Sequence, residues 1–531
     1  MTATGMPPAD RAPGGLRILF SMRHSGALRN FSSTIRALAA AGHQVQLAFM
    51  LADKRGDGRL LRDLLAEHPQ IVVTPAPAKR PLDGWGVLAR GVRTIGDYLR
   101  YWTPEYADAE ALRERAASRV PPAIRGVLDR HVVRTPSRRD RAERLCGLLE
   151  RALPIDPRVA AQVALARPDV VLVTPLVEIG SDQVDYVKAA RTQQVHSGLA
   201  VHSWDNLTNK GRLRVLPDRI YVWNEAQKRE AIRMHGAAAG GVVVTGAPVY
   251  DQWFERRPST TREEFCRKAG LRADRPFILY LCSSGFIAGD ETVFVAEWAR
   301  AIRSAPDARL REAGLLVRPH PDIPGPWQAF DESPFPGVAI WPRGSGEPID
   351  QATKDDYFDS IYHAAAAVGI NTSAQIETGI VGRPVFSIRV PAYAGTQDGT
   401  LHFAHLLADN GGPLHVSANL EAHLRDLAAV LDGVPEEERR RVRRFVEAFV
   451  RPFGLHVAAT PRLAEDVVAL GRLPRPAPER RPASLRAVRL LLHLVAFALS
   501  AGRPAGRAAG KRPPDAPPRT APPPAQRVSL R

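Results

Sequence analysis

An α/β fold of two facing parallel-sheet domains is what this sequence predicts, on three observations. Short apolar runs of strand length alternate with stretches of helical character along most of the chain. The alternation starts afresh at Phe277, after a charged and Pro-containing stretch over 255–275. The length, 531 residues, also exceeds what one hydrophobic core sustains, since domains usually divide beyond roughly 250–300 residues.

The elements follow in order. Residues 16–21 (LRILFS) form a short apolar run ending in a polar loop, 31–41 are helical up to Gly42, and 44–50 read as a second strand. Strand, loop, helix, strand is the βαβ unit of a parallel sheet. Further strands of the first half are expected at 71–74, 170–174, 199–203, 219–223 and 242–245. Between them, 77–156 is Arg-rich and helical in character, with Trp85, Tyr98, Tyr101 and Trp102 interspersed, and reads as an insertion. In the second half, strands are expected at 277–282, 314–318, 338–341, 367–370 and 384–388, with helices at 261–269, 291–303, 357–364 and 373–381.

The expected organisation is a disordered N-terminus over 1–15 and a Rossmann-like domain over 16–255 that contains the insertion. A second Rossmann-like domain over 272–435 and closing helices over 436–470 follow. Residues 471–531 then make a basic Pro/Arg-rich tail with one short apolar helix.

Composition narrows the function classes. An apolar fraction of 44% and a charged fraction of 24% suit a folded soluble protein. Cys146, Cys266 and Cys282 lie far apart with no metal-ligand spacing, which argues for reducing cytoplasm and against a disulfide framework or zinc site. Residues 1–15 lack the apolar core of a signal peptide. Of the net charge of +17, the tail from 471 onward carries +11, leaving +6 for the rest. Without RNA-binding aromatic motifs or a DNA-reading helix, that excess does not indicate nucleic acid.

In open parallel sheets ligands sit beyond the carboxyl ends of the strands, so polar residues there carry the functional expectation. Arg318 and His320 in LVRPHP offer a planar donor fork and an imidazole to a diphosphate; an ordinary salt bridge and a turn cap are the bland alternative. Asn371, Thr372 and Ser373 fill a strand-to-helix turn whose free N–H groups suit phosphate, and Glu377 lies one turn in, placed for a ribose diol. A capping box would produce the same pattern. Ser283 and Ser284 end the first strand of the second domain with residues small enough for close backbone approach. In the first half, His24, Glu178 and Asp205 follow three strands of one sheet and are the candidate acid/base groups.

At these residues the chain resembles a family. The RPHP strand, the NTS…E helix start followed by GRP, and WDN…VWN…HG…VTGAPVYDQWF look like bacterial GT-B-type glycosyltransferases of surface-polysaccharide assembly. CDP-glycerol glycerophosphotransferases and non-hydrolysing UDP-GlcNAc 2-epimerases share that architecture. The resemblance covers about residues 16–470 and implies that the second domain binds a nucleotide diphosphate sugar through Arg318, His320, Ser373 and Glu377. A glycan or lipid-linked acceptor would bind the first domain, with His24 as base and Asp205 next in line, and the sugar nucleotide would be a co-substrate with no further cofactor. Retaining members commonly carry a second Glu eight residues before the ribose-binding Glu, where this chain has Gly369, and there is no Asp-x-Asp metal motif. Both departures lean towards inverting, metal-independent transfer. The alternatives on the same fold are an epimerase, a glycerophosphotransferase and a non-catalytic binding protein. The apolar segment 484–500, flanked by Arg480, Arg481, Arg486 and Arg489, adds the expectation of peripheral attachment to an anionic membrane, at the inner face of the plasma membrane.

Overall fold

The computed structural model describes residues 14–51, 58–75, 83–344, 346, 348–479 and 482–501. The expected disordered terminus up to residue 13, Arg480, Arg481 and the tail from 502 lie outside the described residues.

Seven strands make the first sheet: β1 (Arg17–Met22), β2 (Gln44–Phe49), β3 (Ile71–Thr74), β4 (Val170–Thr174), β5 (His196–Ala200), β6 (Arg219–Val222) and β7 (Val242–Val244). Their order is β3-β2-β1-β4-β5-β6-β7, and each neighbouring pair is parallel. The second sheet holds β8 (Phe277–Leu281), β9 (Gly314–Arg318), β10 (Val338–Ile340), β11 (Ala366–Val368), β12 (Val385–Ile388) and β13 (Leu414–Ser417), in the order β10-β9-β8-β11-β12-β13, again parallel. Strands such as VVLVT and FILYL are buried throughout because helices cover both faces of each sheet. In each sheet the strand order reverses once, between β1 and β4 in the first and between β8 and β11 in the second. Those two switch points open the crevices in which a doubly wound sheet takes ligands.

The helix expected at 357–364 runs Gln351–Tyr362 and the strand expected at 367–370 runs Ala366–Val368, and two further strands depart more instructively from the sequence expectation. β5 covers 196–200 rather than 199–203, because His196-Ser197-Gly198 looks like a turn by residue type but pairs with β4 and β6. Gly198 is required there: a Cβ would stand 2.9 Å from the Tyr221 ring and 3.0 Å from Leu172. β13, an edge strand with His415 and Ser417, has no apolar run to announce it and was not expected.

Four α-helices, Gly84–Arg100, Glu110–Ala117, Pro122–His131 and Pro136–Ala152, form the insertion between β3 and β4. At the other end of the fold, the Glu436–Phe449 helix packs on the second domain, and the Ala459–Arg472 helix buries Leu463, Val467 and Leu470 with Ile18, Phe20 and Leu38 of the first. The chain therefore crosses back between them. Two facing Rossmann-type parallel sheets with a returning C-terminal helix constitute a GT-B-like architecture.

Candidate functional site

The first switch point brings together the loops after β1 and β4. Arg23 pairs with Glu178 at 2.6 Å, and Lys210 approaches the other oxygen of the same carboxylate at 3.8 Å. Burial alone would raise the Glu178 pKa, but Lys210 and Arg23 outweigh it and hold it below the ordinary range. His24 opens the short helical turn Ser25–Ala27 in an extended conformation, and its carbonyl accepts the Ala27 N–H.

Asp205 follows β5. Its carboxylate accepts the Ser203 hydroxyl at 2.6 Å. Partial burial works to raise its pKa, yet Lys210, His402, the Ser203 bond and His202 bring it down to about 2. His202 and His402 are both pushed down to about 4, chiefly by burial, so both imidazoles are neutral near pH 7. His402 comes from the second domain. The Asn209 amide donates to its Nδ1 at 2.7 Å, and its ring stands edge-on to Trp204 with centroids 4.3 Å apart. Sequence reasoning missed this histidine, since nothing around LHFAH marks it as a cleft residue.

The loop carrying Lys210 is held by the insertion. Arg100 donates to the carbonyls of Leu207, Lys210 and Gly211, and the Tyr101 hydroxyl donates to the Lys210 carbonyl at 2.8 Å. Tyr106 takes the Thr208 carbonyl at 2.7 Å, and Arg115 that of Asn209. Five consecutive carbonyls thus find donors in the insertion. A loop without ladder partners needs such donors wherever its backbone is buried.

At the second switch point the loops after β8 and β11 meet. The Asn371 N–H donates to Ser283 Oγ at 3.3 Å, and the Asn371 amide donates to the Thr396 carbonyl and to Thr400 Oγ1 at 2.8 and 3.2 Å. Among the described residues, buried Asn371 Oδ1 has no hydrogen-bond partner. Ser284 begins the turn that follows, its carbonyl accepting the Ile287 and Ala288 N–H groups. Among the described residues the Ser373 side chain makes no capping bond to the Ala374–Val381 helix, and Thr372 Oγ1 takes the Ala374 N–H at 3.4 Å. Glu377 instead receives the Tyr357 hydroxyl. The helix start is therefore no capping box.

Arg318 and His320 are engaged by the protein itself. Arg318 pairs with Asp356 at 3.0 Å, and its guanidinium lies 4.9 Å from the centroid of the Tyr357 ring. His320 Nδ1 accepts the Asp322 N–H at 3.1 Å. Tyr357, which carried no sequence signal, thus bridges Arg318 and Glu377.

Beneath the Ser283 turn sits Glu291, whose carboxyl accepts the Ser283 N–H at 2.8 Å and the Tyr280 hydroxyl at 3.1 Å. Burial raises its pKa to about 7 despite those bonds. The folded state therefore holds a proton that the unfolded chain releases near pH 4.5. Stability from this group is complete below that pH and is lost as pH rises towards 7, a change of about 3 kcal/mol. We expect urea unfolding across pH 4.5–7 to show this decline, and Glu291→Gln to flatten it. Equal slopes in parent and variant would remove Glu291 as its source.

No protein-family model matches the chain. A search of curated proteins likewise found no match. Among solved structures, UDP-GlcNAc 2-epimerase from Neisseria meningitidis bound to UDP-GlcNAc aligns with a TM-score of 0.48 at 11% identity, covering 85% of this chain and 100% of that one. A glycosyltransferase from Rickettsia africae aligns at 0.47 and 9% identity, covering 86% and 99%. WaaG, a glycosyltransferase involved in lipopolysaccharide biosynthesis, aligns at 0.44 and 13% identity, covering 85% and 99%. These are proteins to which this chain is similar in overall course, and its two-sheet architecture rests on its own strand order.

Proposed function

We propose that the protein transfers a sugar from a nucleotide diphosphate sugar to an acceptor hydroxyl of a glycan or lipid-linked substrate. The observation that carries this reading is the composition of the two switch points. The second presents small hydroxyl and amide turns, Ser283–Ser284 and Asn371–Ser373, with a helix start that no serine side chain caps. That suits a diphosphate, whose charge grows as the glycosidic bond breaks. The first presents imidazole and carboxylate groups at neighbouring strand ends.

Within this reading Glu377 accepts the ribose diol, and Arg318 acts on it through the Tyr357 ring. His24 is the base. Glu178 is held below the ordinary carboxylate range and Asp205 down to about 2, whereas efficient proton abstraction near neutral pH needs a group titrating near that pH. Their charges fit better a role in positioning Lys210. The transfer is inverting and metal-independent. A second carboxylate of the retaining kind has no room at Gly369, where even a Cβ would stand 2.8 Å from the Leu281 carbonyl oxygen.

A thermal-shift panel of nucleoside diphosphates identifies the base, because a ligand that binds only the folded state stabilises it. Incubating the matching sugar nucleotides with hydroxyl acceptors then tests transfer. Acceptor-dependent release of the nucleoside diphosphate supports the reading; epimerisation without acceptor, or binding without turnover, overturns it. Glu377→Ala should weaken binding of the diphosphate by about 1–3 kcal/mol in titration calorimetry, the cost of stripping a buried polar partner. A variant that is less stable but binds as the parent does would leave Glu377 only a support for Tyr357.

A further inference from the structure

The Ala483–Ala501 helix leaves most of its apolar surface uncovered. Its docked side, Leu485, Val488, Leu492 and Ala496, packs on the Gly84–Arg100 and Pro136–Ala152 helices of the insertion. The fit is backbone-close: a Cβ on Gly84 would stand 1.7 Å from the Ala496 carbonyl oxygen, and the Gly84 N–H donates to Ser500 Oγ at 3.0 Å. Away from that side, Leu490, Leu491, Leu494 and Phe497 are 68%, 63%, 63% and 70% exposed, against 7% for Leu492 and 2% for Ala496. Their spacing of i, i+1, i+4 and i+7 makes one continuous stripe. Soluble monomers rarely leave such a stripe in water.

Cations frame the stripe. Arg486, four residues before Leu490 and so bordering the stripe, and Arg489 are exposed, as are Arg141, Arg144 and Arg151 on the adjoining Pro136–Ala152 helix. Of the three acids of that adjoining helix, Glu143 meets Arg212 and Glu150 meets Arg93, while Asp140 is exposed beside Arg139. Beyond residue 501 the sequence continues with Arg503, Arg507, Lys511, Arg512, Arg519, Arg527 and Arg531 against a single acid, Asp515. An apolar stripe set among cations complements a surface with anionic headgroups over hydrocarbon. Among the described residues this helix alone is long and apolar enough to cross a membrane. Its docked side ties it to the insertion, which favours a helix that presents one face over one that spans.

We propose that the Ala483–Ala501 helix is a membrane-docking surface, lying in the plane of an anionic bilayer with its Leu490, Leu491, Leu494 and Phe497 face in the acyl layer. The inference does not depend on the reaction proposed above. Full-length protein is mixed at low salt with phosphatidylcholine vesicles, with or without a third of phosphatidylglycerol, and sedimented. We expect most of the protein to pellet with the anionic vesicles and little with the neutral ones. The triple variant Leu491→Glu, Leu494→Glu, Phe497→Glu should partition at least tenfold less at a nearly unchanged thermal midpoint, since the three side chains are largely exposed. Arg486→Gln with Arg489→Gln should lower partition several-fold and weaken its dependence on salt. Equal pelleting of parent and triple variant, or parent protein that stays in solution with anionic vesicles, overturns the proposal. So does a parent dimer in analytical ultracentrifugation that the triple substitution dissolves, because the stripe would then belong to a second copy.

Discussion

His24→Ala is expected to lower turnover by about a hundredfold or more while leaving affinity for the sugar nucleotide nearly intact, as the loss of a general base does. His24 follows β1 at the first switch point, beside the Arg23 that clamps Glu178. The two carboxylates nearby are already committed. Glu178 is neutralised by Arg23 and Lys210, and Asp205 sits at about 2 under the pull of Lys210 and His402. Neither gains much by accepting a proton near pH 7. Single-turnover consumption of the donor, measured beside equilibrium donor binding, separates the outcomes. Near-normal turnover in the variant would move the base to Asp205 or Glu178, and a large loss of donor affinity would make His24 a binding residue.

Asp251→Ala is expected to destabilise the fold by about 3–5 kcal/mol, the cost of leaving a buried charge without its partner. Asp251 lies in the VTGAPVYDQWF segment and is buried where the chain recrosses to the first domain. Oδ1 accepts Arg451 Nη2 at 3.1 Å and the Ala459 N–H at 3.0 Å, while Oδ2 accepts the Thr460 N–H at 2.7 Å. The carboxylate therefore caps the returning helix and neutralises Arg451, whose guanidinium lies 3.7 Å from the Phe254 ring centroid. Asp251→Asn keeps acceptor capacity but not the charge, and should fall between parent and Ala variant. Urea unfolding of the three proteins provides the comparison. A loss below about 1 kcal/mol for the Ala variant would show Arg451 to be solvated once freed.

The sequence was most legible where local chemistry repeats. Ile71–Thr74, Val170–Thr174 and Gly314–Arg318 stand where their apolar runs predicted. Val170–Thr174 and the buried centre of Gly314–Arg318 needed no tertiary information, because a strand covered on both faces has to be apolar on both, whereas the edge strand Ile71–Thr74, with Val73 exposed, shows itself by its β-branched residues. β5 and β13 were less legible. One is opened by His, Ser and Gly, the other is a four-residue edge strand, and their pairing rests on neighbours rather than on their own composition. The candidate site divides in the same way. That Asn371 and Ser283 lie beyond strand ends is readable from motif position, but that they bond to each other across the switch point is not.

By itself, then, the sequence determined the alternation of strands and helices, the restart near Phe277 and the polar loops beyond the strands, since these depend on residues a few positions apart. Only the tertiary structure decided which of those polar groups remain available. It tied Arg318 to Asp356, set Tyr357 under Glu377, and brought His402 to Asn209 across 193 residues of chain. It likewise put Arg100 against the Lys210 carbonyl, 110 residues away. The physical reason is that a side chain's pKa and hydrogen-bond partners are set by groups within a few ångströms of it, and in a fold of crossing parallel strands those groups come from distant parts of the chain.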